Sequence, residues 1–171
     1  MNTESITHDL RELHVIGHGH EHEPLVDYAL LATTFLSITG AAIATARRQN
    51  AIPTRVPLGD AVLLSLATAR VSRLFTREKV TRPLRAPFTE VAAGAKPGEV
   101  KEQARGRGIT RAVGELLTCP RCFAMWASAA LSLGYVFAPG PTRVVAGIFS
   151  ASLVSDFVNL RFARAQKAAV R

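Results

Sequence analysis

Cys122–Thr142, CFAMWASAALSLGYVFAPGPT, runs for 21 residues without a formal charge. A helix rises about 1.5 Å per residue, so such a stretch matches the ~30 Å hydrocarbon core of a bilayer. Trp126 and Tyr135 lie towards its two ends, where amphipathic rings favour the headgroup boundary. Pro139-Gly140-Pro141 then breaks the helix in a tight turn. The chain returns through Val144–Leu160, interrupted only by Asp156, and closes on Arg161-Phe162-Ala163-Arg164. Ala130 and Gly134 on one arm, and Gly147 and Ala151 on the other, have the small-residue spacing that lets helices approach closely in lipid. The expectation is a transmembrane helical hairpin.

Upstream, Tyr28–Ala46 gives another 19 uncharged residues between Asp27 and Arg47. Its threonines and Ser37 can bond back to the preceding helical turn, which makes them tolerable in lipid. A signal peptide does not fit, because an acidic, His-rich leader precedes this segment and the arginines follow it. In Pro57–Phe75 the apolar part, Ala61–Ala69, is too short to span. Arg70, Arg73 and Arg77 share one helical face and Leu64, Ala67, Val71 and Leu74 another. That pattern predicts an amphipathic helix lying along the membrane surface or re-entering it.

The whole chain has 171 residues, a net charge of +8 and 48% hydrophobic residues; its mean hydropathy is +0.17. Basic and apolar together exclude a disordered or nucleic-acid-coating chain, which would be polar throughout. Two cysteines are too few for a disulfide-stapled secreted scaffold. The charge is strongly patterned. Residues 1–24 carry net −4, residues 47–55 net +3, residues 70–121 net +7 and residues 161–171 net +4. The excess of bases on the cytoplasmic side of membrane proteins then predicts three crossings, at 28–46, 122–138 and 144–160. The N terminus is expected outside and the C terminus in the cytoplasm. The expected fold is all-α. It comprises an acidic leader (1–24), a membrane domain (25–162, with a fourth helix at 58–75 and a basic loop at 76–118) and a basic tail (163–171). Within that loop, 86–113 reads as a solvated segment that need not fold on its own.

Cys119-Pro120-Arg121-Cys122 carries the sharpest chemistry. Two thiols at this spacing, at the start of a helix and beside Arg121, can stabilise a thiolate, form a reversible disulfide or share a metal. One such pair supplies two of the four ligands of a closed zinc site, so zinc would require a homodimer. A thioredoxin-like βαβ pattern is absent. His14, His18, His20 and His22 form a weak metal-collecting tract, expected across the membrane from the cysteines. Arg70, Arg73, Arg82 and Arg85, with the rigid Pro83, could hold anionic headgroups or a partner, at about 1 kcal/mol per base near the surface. Glu115 could neutralise Arg121 or complete a metal shell. Asp60 is expected to pair with Arg70 or Arg73, and Asp156 with Arg161. No Ser/His/Asp set, hydrolytic carboxylate pair or phosphate-binding glycine loop is present. Nucleic acid is not an expected partner, since the bases follow the ends of apolar segments and no base-stacking aromatics accompany them.

Two stretches, LATARVSRLFTREKVTRPLRAPFTE (Leu66–Glu90) and GELLTCPRCFAMWAS (Gly114–Ser128), resemble the signatures of an uncharacterised family of small bacterial membrane proteins. One member of that family is described as a sporulation protein. The resemblance extends over about Asp60 to Phe162. It is carried by Arg70, Arg73, Leu74, Pro83, Leu84, Arg85, Pro87 and Phe88, and then by Gly114, Glu115, Leu116, Cys119, Pro120, Cys122 and Trp126. Arg121 stands where the family often has an aromatic residue. The resemblance implies the bacterial cytoplasmic membrane and no established reaction. The leading expectation is therefore a non-enzymatic membrane scaffold whose Arg/Pro segment and CPRC motif form one docking or zinc-stabilised surface. The alternative is a thiol redox protein using Cys119 and Cys122.

Overall fold

A computed structural model of the chain describes residues 25–92 and 100–169. The histidine tract and the acidic leader lie outside the described residues. The elements, in order, are α1 (Leu25–Arg48), α2 (Leu58–Arg77), a 3-10 turn (Lys79–Thr81), the single-turn helix α3 (Arg82–Arg85), β1 (Thr89–Val91), β2 (Glu102–Ala104), α4 (Ile109–Thr118), α5 (Pro120–Phe137) and α6 (Pro139–Ala169). The protein is mostly helical, as its sequence predicts.

Two of these helices, α1 and α6, are long and apolar enough to cross a membrane; α4 and α5 pass that test only as a pair, bent by 86° where they meet. In α1 the hydroxyls of Thr33, Thr34 and Thr45 donate to carbonyls three or four residues back, at 2.7–3.0 Å, so these three need no external partner. Most of α1 is exposed, with Ala46 its one buried residue. Asn50, with φ 51°, ends the helix in the left-handed conformation, and Ala51 donates to the carbonyl of Ala46 at 2.9 Å. Proline opens both α5 and α6, where a missing N–H is harmless.

The organising element is α2, which packs along both α5 and α6, whereas α5 and α6 touch each other less. At one end of the bundle Asp60 of α2 accepts from Tyr135 of α5 (2.6 Å) and from Arg143 Nε of α6 (3.0 Å). At the other end Phe75 of α2 stacks on Phe123 of α5, with ring centroids 5.5 Å apart. Hence α2 runs antiparallel to α5 and parallel to α6. Ala67 and Ala146 are both fully buried, at 0% exposure, and Ser150 donates to the Leu63 carbonyl at 2.8 Å. Small residues therefore do govern close helix approach, but the faces differ from those expected. Gly134 does lie against the other arm, where a Cβ would stand 3.1 Å from the Thr142 hydroxyl, but Ala130 and Ala151 are exposed and a side chain built on Gly147 would meet open space. The seam lies one residue away, on Ala146 and Ser150, because it faces α2 instead of the other arm of the hairpin.

The helix α1 joins through its first half. Tyr28 donates to Glu115 of α4, Gly108 lies beside the Asp27 carboxylate, and Phe35 meets Trp126 edge-on at 5.1 Å. Its start thus lies at the same end of the bundle as the α4–α5 junction. The sequence-based arrangement expects that start at the opposite end from the cysteines, whereas here the two share one end of the bundle. Helix 58–75 also differs from expectation. Its two faces are amphipathic because one packs on α5 and α6, and the helix lying across the bundle end is α4.

A small cap closes that end. β1 and β2 pair antiparallel, with Thr89 opposite Ala104 and Val91 opposite Glu102. The ordered hairpin and α4 occupy much of the segment expected to be solvated loop. Gly114 explains how α4 fits. A Cβ there would stand 2.4 Å from the Phe88 carbonyl oxygen and 2.9 Å from the Ala104 Cβ, so only glycine lets α4 lie flat on the hairpin.

Candidate functional site

The Arg/Pro segment is built around Arg85, whose side chain is 1% exposed against 2% for its partner Glu102. Its Nε donates to the Glu102 carboxylate. Its two terminal nitrogens donate to the Phe75 carbonyl (2.7 Å), the Thr81 hydroxyl (2.6 Å) and the Glu78 carbonyl (3.1 Å). A buried guanidinium with every nitrogen hydrogen-bonded is a structural clamp. It ties the C-terminal end of α2 to β2, and Thr81 reinforces it by donating to the Leu74 carbonyl at 2.6 Å. Arg85 is therefore corrected from a headgroup ligand to a core residue.

Arg70 is likewise turned inward. It pairs with Glu78, donates to Ser152 at 3.0 Å and lies 3.4 Å from Asp156. The expected pairings of the membrane acids are thus exchanged, with Asp60 on Arg143 and Asp156 on Arg70. The reason is that α2 runs alongside α6, which brings the charges of these two helices to matching heights. Of the remaining docking candidates, Arg73, Arg82 and Pro83 are exposed, and Arg82 reaches Glu102 at 3.6 Å. Lys79, Lys101, Arg105, Arg107 and Arg121 are exposed around them. The usable basic surface is therefore the outside of the cap. It includes bases outside the two resembling stretches (Lys101, Arg105 and Arg107), which lie beside or just beyond the hairpin strand β2.

The CPRC motif occupies the 86° break between α4 and α5. Cys119 ends α4 in an extended conformation and caps α5, its Sγ accepting from the Cys122 backbone N–H at 3.3 Å. The Cys122 thiol lies 2.8 Å from the Cys119 Sγ. Both cysteines are free; Cys119 is half-buried and Cys122 exposed. Burial opposes ionisation of Cys119, but the thiol and backbone N–H of Cys122, the Arg121 N–H and the Arg121 charge outweigh it. The Cys119 thiol accordingly titrates below the usual thiol range.

Glu115 is held by Arg111 at 3.1 Å and by Tyr28, so it secures α1 to α4 and does not join the cysteines. Among the described residues no three His, Cys, Asp or Glu side chains come together as a metal shell. Tetrahedral zinc with Zn–S bonds of about 2.3 Å sets its sulfurs about 3.7 Å apart. Here the Cys122 thiol is hydrogen-bonded directly to the Cys119 Sγ.

These features define a helical protein of membrane type, with two helices able to cross a bilayer and a polar cap at one end. Within that class the chain belongs to DUF1360, a protein family of unknown function, whose model matches residues 63–162. The match runs from α2 through the cap to Phe162 in α6. No curated protein and no solved structure matches the chain.

Proposed function

We propose that this is an integral protein of the bacterial cytoplasmic membrane that crosses it four times. In this reading it holds a folded basic cap against the cytoplasmic leaflet as a non-enzymatic docking platform. The observation that carries this reading is the pairing of ends. Asp60, Tyr135 and Arg143 meet at one end of the bundle, while Tyr28–Glu115 and Phe75–Phe123 meet at the other. Four helices running alternately up and down satisfy both. Helix α2 is too polar to cross by itself, and α5 and α6 would carry it, covering its Asp60 and Arg70.

Charge then sets the sidedness. Of the 18 Lys and Arg among the described residues, four (Arg47, Arg48, Arg55 and Arg143) belong to the end of the bundle away from the cap. The excess on the cap side favours a cytoplasmic cap with both termini on that same side. A three-crossing chain with its N terminus outside is the competing arrangement. Exposed Lys79, Arg82, Arg105, Arg107 and Arg121 would face anionic headgroups of the leaflet from which the cap projects, each adding about 1 kcal/mol.

Reporter fusions test the reading. A reporter inserted at Asn50 should appear outside, with reporters before Met1 and after Arg171 inside. An N-terminal reporter outside, with the C-terminal one inside, would defeat the four-crossing arrangement. Neutralising Arg82, Arg105 and Arg107 together should weaken docking of the detergent-purified protein to anionic vesicles. Unchanged docking would remove the platform role.

A further inference from the structure

The CPRC pair has a geometry that neither helix packing nor cap assembly uses up. We propose that Cys119 and Cys122 form a reversible dithiol–disulfide centre that exchanges electrons with low-molecular-weight disulfides.

Three observations converge on the pair. The sulfurs lie 2.8 Å apart, so the second thiol reaches the first without backbone rearrangement. The Cys119 Sγ is the N-cap of an 18-residue helix, where backbone N–H groups and the positive end of the helix favour a thiolate. Cys122 is exposed at the break between α4 and α5, where the chain turns by 86° and, among the described residues, no third His, Cys, Asp or Glu joins the pair to form a metal shell. A purely structural cap needs only one side chain, and serine or aspartate serves that role as well as cysteine. The second thiol at contact distance is what a cap does not require.

The exchange balances as follows. The Cys119 thiolate attacks one sulfur of the incoming disulfide, forming a mixed disulfide and releasing one thiolate. The Cys122 thiol then loses its proton to solvent or to the departing group and attacks the Cys119 Sγ, expelling the second thiol. The dithiol gives up two electrons and two protons, and one disulfide becomes two thiols. In reverse, two small thiols restore the reduced pair. On the cytoplasmic side the reduced pair would be the resting form. The chemistry itself does not depend on sidedness, and the test can fail or succeed independently of the four-crossing arrangement.

The experiment uses the full chain in detergent, equilibrated in defined ratios of reduced and oxidised glutathione, with peptide mapping after thiol blocking. The expected result is a Cys119–Cys122 disulfide that forms and reverses with the ratio. In Cys122→Ala, glutathione should accumulate on Cys119, several-fold faster than on Cys122 in Cys119→Ala. A wild-type pair that stays reduced in oxidised glutathione overturns the proposal. So does glutathione uptake equally slow in both variants, or a pair that reacts only after a chelator strips zinc from it. The wild-type titration needs no variant, so misfolding of a substituted protein leaves the outcome decisive.

Discussion

Arg85 and Arg82 are three residues apart in one short motif, yet burial separates their roles completely. Arg85 is sealed against Glu102 and three further acceptors, so removing Glu102 leaves a buried cation without its partner. Glu102→Ala should cost about 3–5 kcal/mol, read as a marked fall in the melting temperature of the detergent-purified protein. Arg82→Ala, at an exposed site, should cost far less, of the order of 1 kcal/mol or below. At Cys119 the reading concerns protons. Its depressed pKa means the reactive thiolate persists to lower pH than in an ordinary thiol of pKa about 8.5. Cys122→Ala removes a hydrogen bond to that thiolate. The midpoint of the Cys119 alkylation rate against pH should therefore move upward; an unmoved midpoint would show that Cys122 does not stabilise the charge. The sequence marks these residues as unusual, since Arg-Pro-Leu-Arg and Cys-Pro-x-Cys are uncommon strings. It cannot tell a clamp from a ligand, because that depends on Glu102, which folds back across the hairpin.

Among the elements, periodicity foretold the helices well and their partners less well. The uncharged stretches 28–46 and 144–160 fall within α1 and α6, and the prolines marked the helix break, which lies at Ala138 with Pro139–Pro141 already opening α6. An amphipathic face on 58–75 is legible too, but amphipathicity specifies only that one side is covered, and lipid headgroups and neighbouring helices both satisfy it. Long-range packing chose α5 and α6. The short strands β1 and β2, three residues each, carry too little pattern to stand out beside glycine- and charge-rich flanks. Two substitutions probe these contacts. Gly114→Ala forces a methyl group into the Phe88 carbonyl, and separating α4 from the hairpin should lower stability by roughly 1–3 kcal/mol. Ala146→Leu should overpack the seam against α2 by a similar amount, whereas Gly147→Ala, facing open space, should be nearly neutral. Thermal melts of the three purified variants decide the order.

Over the whole molecule, α2 is apolar for only a short length and is flanked by Asp60 and Arg70. A chain emerging residue by residue completes α2 long before α6 supplies Arg143, Ser150 and Asp156. In the four-crossing reading the second helix therefore has no suitable place in a bilayer when it is first made. It must wait at the surface, or enter provisionally, until the last helix arrives to neutralise it. Biogenesis of this fold would then be a late, concerted locking step and not a sequential threading, and products terminated before Pro139 would be exposed to quality-control proteases.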